Sequence, residues 1–138
     1  MKSKRPKRYD LEEFFRALAD GTRLRLLNLL GEDEVCVCFL VEALKLSQPK
    51  ISRHLAYLRR AGIVLTRRDG KWMHYRLIAP ADARLAPVLS AVRAGLKDDP
   101  LMQADRSRLV RLCCSSTSAA PLKRAPKPES ISNSLTAK

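Results

Sequence analysis

The sequence predicts a mainly α chain with one small β-hairpin. Three observations predict it. Leucine-rich segments recur at helical spacing before residue 61 and again over 81–96. β-forming residues flank the dipeptide Asp69-Gly70, a strong short-range hairpin signal. Ser47 and Pro49 mark a helix start, serine as the capping residue and proline inside the first turn. The expected order of elements is α-α-α-α-β-β-α.

Each element follows from its own residues. Residues 1–9 form a basic arm, and 10–99 form the folded body. Leu11, Phe14, Phe15 and Leu18 recur at i, i+3, i+4 and i+7, giving a first helix over 10–19. Asp20-Gly21-Thr22 breaks it and caps a second helix over 22–30, where Leu24, Leu26, Leu27, Leu29 and Leu30 leave few polar faces. A third helix is expected over 36–45, with Cys36 and Cys38 in its first turn. Ser47 opens a fourth helix that runs to Ala61 and stops at Gly62. Its inner stripe is Ile51, Leu55 and Leu58; His54 lies beside that stripe and reads as structural. The hairpin pairs 63–68 with 71–77. A fifth helix over 81–96 carries Leu85, Val88, Leu89, Val92 and Leu96 on one stripe. The four-helix core hardly needs that stripe, so it is assigned to a homodimer interface. Residues 100–138 are expected to be a cysteine-containing, largely disordered tail, with a short helix over 101–114 allowed by Leu101, Leu109 and Leu112.

Composition narrows the partners. The 138 residues hold 27 Lys and Arg against 14 Asp and Glu, a formal net charge of +13. Such an excess favours a polyanion. No apolar run reaches the roughly 20 residues of a membrane span, and no signal-peptide core follows the basic N-terminus. A cytoplasmic chain without membrane contact is expected. Its four cysteines then stay reduced and read first as ligands, redox groups or core residues. No nucleophile–base pair, phosphate-binding glycine loop or metal-hydrolase motif suggests an enzyme or an organic cofactor.

Helix, tight turn, capped helix and Asp-Gly hairpin together make the layout of a winged helix-turn-helix, whose second helix enters the DNA major groove. From Lys50 to Arg76 there are eight lysines or arginines and one acid, Asp69. Lys50, Ser52, Arg67, Arg68 and Lys71 are assigned to phosphates, which position without reading sequence. Gln48 and Arg53 are assigned to bases, because Gln pairs with adenine and Arg with guanine. Pro49 sits on the same outer side of the helix, and the hairpin tip is expected near the minor groove.

The runs Leu18–Leu27, Ser47–Leu55 and Gly70–Leu77 resemble the ArsR/SmtB family of metal-sensing bacterial repressors over about residues 10–97. The stretch Glu34-Val35-Cys36-Val37-Cys38 resembles the arsenic-responsive branch. The resemblance implies a homodimer that binds double-stranded operator DNA and releases it when As(III) or Sb(III) binds cysteine thiolates. It carries over to Cys36 and Cys38 only, because Val41 stands where those sensors place a third cysteine. Two readings stay open for the third position around arsenic. An organic substituent or small thiol completes it, or Cys113 or Cys114 does; Cys113 and Cys114 are also candidates for a separate two-thiol site.

Thiolates select soft ions over hard ones, and capturing an ion releases their protons. On a continuous helix, residues two apart diverge by about 200°. One ion bridging Cys36 and Cys38 is therefore expected to unwind the first turn of the third helix, which packs on the recognition helix. Other functions compete: a cadmium or lead sensor built from the cysteines, and a thiol redox or persulfide sensor on the same fold.

Overall fold

The computed structural model describes residues 8–31 and 33–114. The helices are α1 (Arg8–Leu18), α2 (Gly21–Leu29), α3 (Val37–Leu44), α4 (Gln48–Arg60), α5 (Leu85–Leu96) and α6 (Pro100–Cys114). The strands are β1 (Val35–Cys36), β2 (Val64–Asp69) and β3 (Trp72–Leu77). The expected mainly α winged helix-turn-helix is present, with one strand more than the sequence suggested and with the helix that it allowed over 101–114 formed as α6.

Capping fixes the helix starts as expected. The Asp20 carboxylate accepts from the Arg23 backbone N–H at 3.0 Å, and the Ser47 hydroxyl accepts from Lys50 at 3.4 Å. Pro49 lies in the first turn of α4, where its missing N–H costs no hydrogen bond. Lys45 closes α3 in the left-handed region at φ 54°, which turns the chain sharply into α4. Gly70 takes φ 59° at the hairpin tip, a conformation that glycine adopts without Cβ strain.

The core gathers the predicted stripes. Phe14, Leu26, Leu27, Phe39, Leu40, Ile51, Leu55, Leu58 and Ile63 are fully buried. Each such side chain stabilises the fold by about 1.5–3 kcal/mol relative to exposure. Arg23 ties α4 to the α1–α2 corner. Its guanidinium donates to the carbonyls of Ala17 (2.7 Å) and Arg16 (2.9 Å) and stacks on the Tyr57 ring at 4.1 Å. His54 lies at the same corner, its Nδ1 3.7 Å from Asp20, and so is held where a structural residue was expected.

Four expectations need correction. The third helix starts at Val37, not Cys36, because Cys36 belongs to a strand. The stripe on α5 is not left wholly for a second copy: Leu85 and Leu89 are buried within the chain, while Val88, Val92 and Leu96 are half-buried. The body does not end at residue 99. Helix α6 docks across α2 and α3 and buries Met102, Asp105, Leu109 and Cys113. Those positions, spaced i, i+3, i+7 and i+11, mark one helical face that the sequence reading had matched only in part. The arm expected over 1–9 is shortened, because α1 already begins at Arg8; residues 1–7, and the disorder expected for 115–138, lie outside the described residues.

An ion pair locks α6 in place. Arg25 on α2 donates to both oxygens of the fully buried Asp105, at 2.7 and 2.9 Å. Arg108 lies 3.4 Å from the same carboxylate and donates to the Ala43 carbonyl at the end of α3 at 2.6 Å. Removing one partner of a buried pair strands the other charge, which typically costs about 3–5 kcal/mol. Arg25→Ala should therefore destabilise the fold by about 3 kcal/mol in urea denaturation. A loss below about 1 kcal/mol would show that α6 does not depend on this pair.

Candidate functional site

The two cysteines of the Val35–Cys38 stretch meet at a junction of strand and helix. Cys36 is extended (φ −67°, ψ 140°), ends β1 and serves as the residue before α3. Cys38 lies in the first turn of that helix. The extended residue reverses the divergence that a helix would impose, and the two Sγ atoms lie 3.0 Å apart. The expected unwinding is thus unnecessary for bridging. Two thiolates bound at about 2.3 Å, the zinc–sulfur distance, with an angle near 90–110° sit roughly 3.3–3.8 Å apart. The observed pair needs only a few tenths of an ångström to match.

The pair shares protons unequally. Cys38 donates its S–H to the Cys36 sulfur, which holds the Cys36 thiol down at about 7 against the opposing effect of burial. Backbone N–H groups of Cys38 and Met73 assist. Cys38 moves the other way: its proton is held by the Cys36 sulfur, by burial and by the neighbouring negative charge. Of the two, Cys36 is the one that ionises first, while Cys38 keeps its proton. Cys36 is buried and Cys38 half-buried, so an entering reagent meets Cys38 first.

Strand β1 joins this site to the hairpin. Val35 pairs with Tyr75 and Cys36 with His74, while β3 pairs on its other edge with β2. His74 is buried beside the site, and its Nε2 has no hydrogen-bond partner among the described residues; an Asp69 carboxylate oxygen is 4.0 Å away. Among the described residues no three His, Cys, Asp or Glu side chains form a metal-binding group. Cys113, buried at the end of α6, is therefore not gathered with Cys36 and Cys38. The side chain of Cys114 lies outside the described residues.

The second surface is cationic. Gln48, Pro49, Lys50 and Arg53 are exposed along the start of α4, and Ser52 is half-buried behind them. Arg68 and Lys71 are exposed at the hairpin tip. Arg68 donates to the Gly70 carbonyl at 3.1 Å, and Lys71 lies 4.9 Å from the centre of the Trp72 ring. Arg67 is exposed too, but it is occupied: it donates to Glu34 at 2.7–2.9 Å. That hydrogen bonding holds the Glu34 carboxyl below its usual range and raises Arg67. Sequence reasoning missed Glu34 because nothing local links it to a residue 33 positions away; only β1 joining the sheet brings them together.

Known proteins resemble this chain in sequence and fold. The family model described as bacterial regulatory protein, arsR family, matches residues 20–66. The chain is 50% identical over 96 residues to the arsenic resistance transcriptional regulator ArsR1 of Pseudomonas putida, covering 66% of this chain and 75% of that protein. It is 46% identical over 107 residues to the arsenical resistance operon repressor of Escherichia coli, covering 77% and 90%. Its fold is similar to a homodimeric winged helix-turn-helix DNA-binding domain from Mycobacterium bovis, with TM-score 0.54, 25% identity, and coverage of 71% of this chain and 92% of that one.

The unequal protons set a pH signature. Cys36 is more acidic folded than unfolded, so it adds stability as pH rises from about 7 toward the ordinary thiol range, and that gain is lost as pH falls back through 7. Cys38 is less acidic folded, so stability falls again once the unfolded thiol ionises. Thiolate absorbance should include one ionisation centred near pH 7, and Cys38→Ala, which removes the donor, should move it upward. A midpoint unmoved by that substitution would show that the S–H of Cys38 is not what stabilises the thiolate.

Proposed function

Since the chain belongs to the arsR family of bacterial regulatory proteins, we propose that it is a homodimeric repressor that releases operator DNA when trivalent arsenic or antimony is captured by Cys36 and Cys38. One observation carries this reading: two sulfurs 3.0 Å apart sit where the strand that ladders to the hairpin meets the helix that packs on the recognition helix. A guest held by both sulfurs pulls on both DNA-contacting elements at once. Ligand and DNA then favour different shapes, the condition for negative coupling.

Two protein sulfurs suit a monomethylated arsenic(III), whose third position is filled by carbon. They suit inorganic arsenite when a small thiol completes the set. DNA binding rests on Gln48 and Arg53 at base edges, with Lys50, Ser52, Arg68 and Lys71 at phosphates. Dimerisation draws on the half-buried Val88, Val92 and Leu96 and on the exposed Phe15 of α1.

The sulfur separation also favours a second reading, in which an oxidant converts the pair to a disulfide. The two readings separate cleanly. Arsenical release needs no oxidant, whereas oxidative release is insensitive to arsenite and is reversed by a reductant that does not chelate arsenic.

Cys36→Ser and Cys38→Ser should each bind operator DNA like the parent and lose release by methylarsenite in a fluorescence-anisotropy titration. Normal release by either variant refutes the thiol site. Arg53→Ala should cost about 1–3 kcal/mol of specific binding and relax the preference at one base pair per half-site. Selection from randomised duplexes reads this directly, and an unchanged preference removes Arg53 from base readout.

A further inference from the structure

We propose that Glu34 is an internal stand-in for a DNA phosphate, which holds the wing residue Arg67 and ties it to the thiol-bearing strand. This inference rests on the DNA-binding reading above and goes beyond it.

The geometry is that of anion recognition. Arg67 Nε donates to both oxygens of Glu34, at 2.8 and 2.9 Å, and its Nη2 donates to one of them at 2.7 Å. Arginine grips carboxylate and phosphate with this same fork. Arg67 sits on the hairpin beside Arg68 and Lys71. Those two make no ion pair among the described residues; Arg67 alone of the three is engaged by an acid. Its side chain remains 53% exposed, so a phosphate can reach the guanidinium.

Position gives the contact a further role. Arg67, His74 and Cys36 form one row across the three strands, because Arg67 pairs with His74 and His74 with Cys36. Cross-strand partners point to the same face, and strands lie about 4.8 Å apart. Glu34 precedes Cys36 by two residues and reaches back over that row to Arg67. The segment 34–36 therefore holds the wing at two points, through the backbone ladder of β1 to β3 and through the side-chain clasp of Glu34 to β2. DNA and Glu34 compete for one guanidinium, and the competition is set on the segment that carries Cys36.

A double-mutant cycle tests this. The probe is a labelled duplex carrying the sequence that the parent protein selects from a random pool, titrated at several salt concentrations. Glu34→Gln should raise affinity about 1.5- to 5-fold, the range of one exposed ion pair. It should also steepen the log–log salt slope by up to about 0.9, one phosphate contact. Arg67→Gln should lower affinity, and adding Glu34→Gln to it should change nothing further. The proposal is overturned if Glu34→Gln leaves affinity unaltered, or if it raises affinity equally on the Arg67→Gln background, since the effect then does not pass through Arg67. A methylarsenite arm on the parent protein keeps the readings apart: DNA release that fails there sinks the arsenical reading of the thiols, while the cycle without arsenical still decides the clasp.

Discussion

Two backbone pairs, Val35 with Tyr75 and Cys36 with His74, hold the rest of the arrangement in place. They keep Cys36 extended, and an extended residue at this point is what lets a sulfur from a strand meet a sulfur from a helix. The same pairs join the helical half of the molecule to the hairpin. Without them the hairpin would be a two-stranded ribbon, which is marginal in water on its own. With them, it becomes part of a three-stranded sheet whose edge strand feeds directly into α3.

Charge is divided between two tasks in this chain. Arg25 and Asp105 spend theirs inside, where a carboxylate without a partner would be costly, and so fasten α6 across α2 and α3. The cations of α4 and the hairpin stay at the surface, where isolated ion pairs contribute little to stability and a polyanion can use them. Arg67 stands between the two groups, paired yet reachable. The net excess of positive charge in the composition said that a polyanion partner was favoured; only the fold separates the cations that lock from the cations left exposed for a partner.

Much of this was legible in the sequence, for identifiable reasons. Helical periodicity placed the core leucines, Ser47 and Pro49 placed the recognition helix, and Asp69-Gly70 placed the hairpin, because each signal is local. The boundary at Cys36 was not legible. The run Val35-Cys36-Val37-Cys38-Phe39-Leu40 is apolar throughout, so it suits a buried strand as well as a buried helix, and a two-residue strand leaves no alternation to read. The docking of α6 was hidden for a different reason. Its anchor is Asp105, a charged residue that sequence reasoning sends to the surface, and its partner Arg25 lies 80 positions away. The pairing of Glu34 with Arg67 was hidden in the same way. Long-range ion pairs leave no trace in local spacing.

The size of the proposed coupling can be weighed against the surface it must undo. A coupling of about 1–3 kcal/mol changes affinity roughly 5- to 150-fold. One good base contact is worth about the same. A guest at the sulfurs need not dismantle the DNA-binding surface, then; displacing one or two contacts is enough. Cys36 lies two residues after Glu34 of the clasp and shares a ladder with β3, while Cys38 belongs to the helix packed on α4. A shift of a few tenths of an ångström at the sulfurs starts where both routes to those contacts begin. On the proposed reading, a small displacement at this junction is the lever, without melting of α3.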